Sequence, residues 1–184
     1  MTDTEIYSQL AARLDAIPNG FPATSTGIEL QLLAKIFAPE EARLAANMQL
    51  MPLPASEIAD RAGVPSDDAR RRLKEMVREG LIVAYKGERE LGFGLMPFVV
   101  GVYEAQLPRI DAEMAELLER YIQETRGGTM IVEGPAVHRV IPVGEAVPFS
   151  LEVFPYERAT ELVEQAQAWG VQDCICRLQQ RLIG

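Results

Sequence analysis

Pro54-Ala55-Ser56-Glu57-Ile58-Ala59-Asp60-Arg61-Ala62-Gly63-Val64 reads as a short helix stopped at Gly63, and the residues after it decide the fold. Over residues 66–79, Ala69, Leu73, Met76 and Val77 fall at i, i+4, i+7 and i+8, one apolar stripe on a 3.6-residue period that predicts a second helix. Asp67 and Asp68 in its first turn and Arg78 in its last complement the helix dipole, and Gly80 supplies the left-handed residue that ends it. Residues 81–85 and 91–100 predict two strands joined by the polar turn Lys86-Gly87-Glu88-Arg89-Glu90, with Gly92-Phe93-Gly94 marking a bend or bulge in the second. Helix, turn, helix and hairpin in that order make a winged helix-turn-helix. Its second helix is the usual DNA-reading element, although the same scaffold also serves protein contacts.

On the N-terminal side, residues 4–17 predict an amphipathic helix with Leu10, Leu14 and Ile17 on one side, broken by Pro18-Asn19-Gly20-Phe21-Pro22. Thr26-Gly27-Ile28-Glu29 has the capping-box spacing and opens a helix carrying Leu30, Leu33, Ala34 and Phe37. Pro39 starts another, running to about Leu50. On the C-terminal side, Pro108 opens a helix over 109–126. Its apolar side, Ile110, Met114, Leu117, Leu118 and Tyr121, covers a neighbouring element or a second subunit, as in a homodimer. Beyond Gly127-Gly128, residues 130–132, 138–143 and 147–154 are strand-like, and 155–169 return to helix with Gly170 as the stop. The expected fold class is α+β, mainly helical. Residues 1–107 form a winged helix-turn-helix domain with N-terminal helices, 108–127 a connecting helix, and 128–184 a small α/β extension ending in a Cys-x-Cys element.

The chain has 184 residues, 48% of them apolar, a formal net charge of -9 and a pI near 4.7. An acidic protein of this kind is not a general nucleic-acid-coating protein, though a local basic face stays open. No stretch approaches the roughly 20 apolar residues of a membrane span. Met1-Thr2-Asp3-Thr4-Glu5 lacks the basic start and apolar run of a secretory signal, so a cytoplasmic location with no membrane partner is expected. Two cysteines make no disulfide framework, in keeping with a reducing compartment.

Two groups of residues carry candidate chemistry. Arg70, Arg71, Arg72, Lys74 and Arg78 on the second helix, with Lys86 and Arg89 in the wing turn, are placed to meet the phosphates and base edges of duplex DNA. They equally make a solvated face in which Glu75 pairs with Arg71 or Arg78, and Asp67, Asp68, Glu88 and Glu90 repel phosphate. Cys174-Ile175-Cys176 is the second group. On a strand both thiols face the same way; in a loop two thiolates this close ligate one metal or cluster, with Arg177 lowering a thiol pKa or donating to cluster sulfur. The plainer reading of the pair is two half-buried structural cysteines. An iron–sulfur cluster takes four cysteines, so the site is incomplete within this sequence. His138 reads as a structural histidine, and Glu113, Glu116, Glu119 and Glu124 as an exposed acidic helix face. No phosphate loop, nucleophile elbow or metalloprotease pair is present, and nothing argues for catalysis.

Three segments together resemble a known family: Thr24-Ser25-Thr26-Gly27-Ile28-Glu29-Leu30, the run Leu95-Met96-Pro97-Phe98-Val99-Val100-Gly101-Val102-Tyr103-Glu104-Ala105-Gln106-Leu107, and Pro155-Tyr156-Glu157 leading to Asp173-Cys174-Ile175-Cys176-Arg177. They resemble the N-terminal part of bacterial and archaeal iron–sulfur proteins of the ferredoxin type, over nearly the whole chain. In that family a winged-helix-like region precedes a cysteine-rich segment and ferredoxin 4Fe-4S motifs follow. The resemblance implies that Cys174 and Cys176 are cluster ligands with Arg177 beside them. It also implies a 4Fe-4S cluster completed by sequence beyond residue 184, and a redox protein or C-terminal ferredoxin domain as partner. The family's further cysteines and ferredoxin repeats have no counterpart here. The expectation is the front module of a 4Fe-4S ferredoxin-like electron-transfer protein; the alternative is a DNA-binding transcriptional regulator of the winged-helix type.

Overall fold

A computed structural model of the chain describes residues 2–87, 90–127 and 155–184. The expected strand-like segments between 130 and 154, and with them His138, lie outside the described residues, as does Arg89. The architecture is α+β and mainly helical, with one small three-stranded antiparallel sheet. The described residues fall into two units: one holds every element named below except the helix Tyr156–Gln165, which belongs to the other.

Helix α1 spans Asp3–Asp15, with Thr2 and Glu5 exchanging the two bonds of a capping box: Thr2 N–H donates to Glu5 Oε2 at 2.7 Å and Glu5 N–H to Thr2 Oγ1 at 3.4 Å. Helix α2, Ile28–Ile36, is capped differently from expectation. Gly27 is its N-cap in the left-handed region, and Thr24, not Thr26, does the capping. Ile28 N–H donates to Thr24 Oγ1 at 3.2 Å, and the Thr24 hydroxyl donates to the buried carboxylate of Glu29. Thr26 is drawn away, its hydroxyl donating to Glu124 Oε2 at 2.6 Å.

Helix α3, Pro39–Ala46, stops about four residues short of the expected end. The chain past Asn47 turns toward the sheet, where the Gln49 carbonyl accepts from Leu95 N–H at 2.8 Å. A two-residue strand β1, Leu53–Pro54, leads into α4, Ala55–Ala62, and α5, Ser66–Arg78. Gly63, at φ 66°, turns the chain between them, and α5 buries Ala69, Leu73 and Met76 of its predicted stripe.

Strands β2, Val83–Lys86, and β3, Leu91–Gly94, form the hairpin, and β1 adds to the far side of β3 in the order β1-β3-β2. The expected second strand is thus six residues too long: Pro97 lacks the N–H that a ladder needs, and the chain after Gly94 leaves the sheet. No bulge interrupts β3, which pairs continuously from Val83↔Gly94 to Lys86↔Leu91. Gly92 has another reason to be small: a Cβ there would lie 2.7 Å from Pro52 Cβ.

Helix α6, Ala112–Glu124, starts three residues later than predicted because Asp111 takes the cap, accepting from Met114 N–H at 2.8 Å. Its apolar side, Met114, Ala115, Leu118 and Tyr121, is buried within this chain, and α6 packs on α2 and on a last helix, α8, Ile175–Ile183. One connected cluster of buried side chains runs from Ile6 to Tyr121 and takes in Ile175. In the other unit, α7, Tyr156–Gln165, ends four residues before the expected Trp169, whose indole N–H donates to the Val163 carbonyl at 2.8 Å. No described helix is long and apolar enough to cross a membrane.

Gly80 closes α5 at φ 70°, and a Cβ added there would lie 2.5 Å from Ala105 Cβ. Both strain and collision oppose Gly80→Ala, so denaturant unfolding should show a loss of about 1–3 kcal/mol. Glu41 is buried; it accepts from Ala38 N–H at 2.7 Å and lies 3.0 Å from Arg72 Nη2. Burial, with Glu79 facing it, outweighs those partners and raises its carboxyl pKa above the ordinary value. A raised folded-state pKa favours folding below the ordinary carboxylate range, and that contribution is lost as pH rises through the folded value. Melting temperature measured against pH should therefore fall more for the native protein than for Glu41→Gln across that window; parallel curves would remove Glu41 as the cause.

Candidate ligand site at the start of the last helix

Ile175 and Gln179, four residues apart, are the buried residues of α8, and that spacing fixes which way the helix presents its neighbours. Cys174 becomes the N-cap and Cys176 the second helical residue, both exposed and both free thiols. The expected strand or loop around the pair is therefore corrected to a helix start. The reading of two half-buried structural cysteines also falls, since only Ile175 between them is buried.

The helix start acts on the thiols. The Cys174 pKa lies below the ordinary thiol value, chiefly because its sulfur faces the backbone N–H of Arg177, with the Cys176 N–H and the Arg177 guanidinium adding to the effect. Cys176, Arg177, Gln180, Arg181 and Gly184 line an open cavity of about 850 Å³, so two guanidinium groups one turn apart flank the second cysteine. Anionic sulfur chemistry is favoured at such a place.

Beneath the cysteines lies a polar layer that sequence reasoning missed. Tyr103, 4% exposed, donates its hydroxyl to Gln179 Oε1 at 2.5 Å. Burial first, and Cys176 second, raise the pKa of that phenol. Gln179 Nε2 donates in turn to Glu119 Oε2 at 3.1 Å, and Gln180 Nε2 reaches the same oxygen at 3.2 Å. The acidic residues of α6 are thus ties more than a bare solvated face: Glu119 holds α8, Glu113 pairs with Lys35 of α2, and Glu124 accepts from Thr26. The signal for Gln179 was its place four residues after Ile175, which becomes readable only once a helix is assigned there.

The second group comes out otherwise. Arg70 lies 3.8 Å from Glu90, Arg71 2.8 Å from Asp68, and Arg72 within 3.4 Å of Glu40 and 3.0 Å of both Glu41 and Glu75. Glu75 therefore pairs with Arg72, not with Arg71 or Arg78 as expected, because Arg72 reaches across to α3. Lys74 and Arg78 have no ion-pair partner among the described residues; they share the outer face of α5 with Asp67, Arg70, Arg71 and Glu75. Lys86 ends β2, exposed.

The start of α8 presents two exposed sulfurs, the Cys174 thiol shifted toward its anion, with Arg177 and Arg181 beside them. It supplies two of the four thiolates a 4Fe-4S cluster takes. Among the described residues no three His, Cys, Asp or Glu gather as a metal-holding group, and the sequence contains no third cysteine. No known family model, curated protein or solved structure matches the chain.

Ile175 is the only buried apolar side chain of α8, so Ile175→Ala should remove its anchor and cost about 2–5 kcal/mol by chemical denaturation. A change under about 0.5 kcal/mol would mean that α8 does not depend on that contact.

Proposed function

We propose that this chain is the winged-helix front module of a 4Fe-4S ferredoxin-like electron-transfer protein, with Cys174 and Cys176 as two of the cluster's ligands. The observation that carries the reading is the pairing of both cysteines, exposed, at a helix start whose Ile175 is buried and whose Arg177 and Arg181 flank the open side. A bound cluster supplies one-electron transfer. This chain's residues do the holding: the Arg177 N–H favours the Cys174 thiolate, the two guanidinium groups balance negative charge, and Ile175 and Gln179 fix the backbone. The remaining two thiolates come from outside these 184 residues, in a ferredoxin domain or a redox partner.

The front half fits a docking role. The order α4, α5, β2, β3, with β1 on the outer side of β3, supports a winged helix. Its α5 face is charge-balanced, since Arg70, Arg71 and Arg72 are held by carboxylates, and a balanced face suits a protein surface better than phosphate. The reading as a DNA-binding regulator rests on Lys74 and Arg78 and has the weaker support.

Iron and acid-labile sulfide, assayed after anaerobic purification of a version extended past Gly184, test the proposal. Both are expected, with a lower content of each in the Cys174→Ser, Cys176→Ser double variant. No iron or sulfide in the extended protein would overturn the redox reading, and a content unchanged by the double substitution would overturn the ligand assignment.

A further inference from the structure

Among the described residues, two buried side-chain polar atoms have no hydrogen-bond partner, Nε of Arg43 on α3 and Nε of Arg72 on α5. Both arginines line the same cavity between the two helices. Its volume of about 460 Å³ falls in the roughly 300–1,000 Å³ range of small-molecule sites. The floor is carbon: Leu44 and Ala69 are buried and Val64 half-buried. Three guanidinium groups and three carboxylates stand around that floor, so pairing, and not the count of charges, decides what it takes. Arg71 is held by Asp68, and Arg72 by Glu40 and Glu75. Arg43 alone of the six has no ion pair among the described residues.

We infer that this cavity binds a small carboxylate with an apolar body, the carboxylate on Arg43 and the body over Leu44, Val64 and Ala69. The edge of a guanidinium that carries Nε and one Nη takes the two oxygens of a carboxylate side by side. On Arg43 that edge has no bond to give up. Turning it to an incoming carboxylate also ends the cost of a buried donor left unmade. A cationic ligand gains less, because each lining carboxylate already has its guanidinium. A neutral apolar molecule leaves Arg43 as it was. The bound ligand spans α3 and α5, the helices that Arg72 already joins through Glu40 and Glu41. The cavity shares no residue with the one at the start of α8, so the inference does not depend on the cluster reading.

Methyl-resolved NMR of the 184-residue protein tests the site, with 3-phenylpropionate as the probe and its neutral amide, 3-phenylpropanamide, beside it. The acid should shift the methyl signals of Leu44, Val64 and Ala69 in a saturable way. The amide should bind about tenfold more weakly, the worth of one hydrogen bond to a charged group. Arg43→Met keeps the apolar stem and should bring the acid down to the amide's affinity. Arg120→Met removes the same charge from an exposed position of α6 and should leave the affinity in place. No shifts at the three lining methyls, or shifts only elsewhere, would overturn the site. Equal affinity of acid and amide for the native protein would overturn the carboxylate assignment, a comparison that holds whether or not Arg43→Met folds. The iron content of the extended protein bears on neither result, so this inference and the proposed function fail separately.

Discussion

Three aromatic rings hold this chain together. Phe21 lies in the turn after α1, Phe98 beyond the sheet, and Tyr121 in the last turns of α6; their centroids stand 4.5 Å apart for Phe21–Phe98, 4.8 Å for Phe21–Tyr121 and 6.2 Å for Phe98–Tyr121. Each such pair contributes about 0.5–1.5 kcal/mol beyond the area it buries. The rings also orient what surrounds them. The Tyr121 hydroxyl donates to the Pro22 carbonyl at 3.1 Å, and Phe21 N–H donates to Asp15 Oδ1 at 2.8 Å, closing the end of α1. Phe98 begins the segment that delivers Tyr103, and Tyr121 shares α6 with Glu119. The seat of α8 is therefore built on ground that these rings fix.

A second constraint works on the other side. Arg72 meets Glu40, Glu41 and Glu75 at once, binding α5 to α3 with one guanidinium. A partly buried network of this kind is more consequential than an exposed pair, because its members have given up water to make it. It takes one of the three consecutive arginines into structure, while Arg70 and Arg71 pair at the surface with Glu90 and Asp68.

The helices with a clean apolar period were legible: the stripe Ala69, Leu73 and Met76 and the side Met114, Leu118 and Tyr121 are buried as their spacing requires. Boundaries that depend on a single side chain were less so. Thr24 and Thr26 both stand before α2, and only the distant carboxylate of Glu124 decides between them. β3 ends early because a proline follows, and α6 begins late because Asp111 outcompetes Pro108 as the opening residue. The start of α8 was the costliest omission. Ile175, Leu178, Leu182 and Ile183 fall at i, i+3, i+7 and i+8, a helical stripe that the sequence does carry, whereas the tertiary contacts from Gln179 to Tyr103 and Glu119 that support the helix are invisible in the local sequence.

That slender anchoring has a thermodynamic corollary. Whatever clasps both sulfurs in the docked arrangement, and not in an undocked one, must add its binding free energy to the docking of α8 itself. Retention of the ligand and closure of the helix then become linked quantities, each strengthening the other by the same factor. A short helix seated on Ile175 and tied through Gln179 and Gln180 need not be stable in its own right.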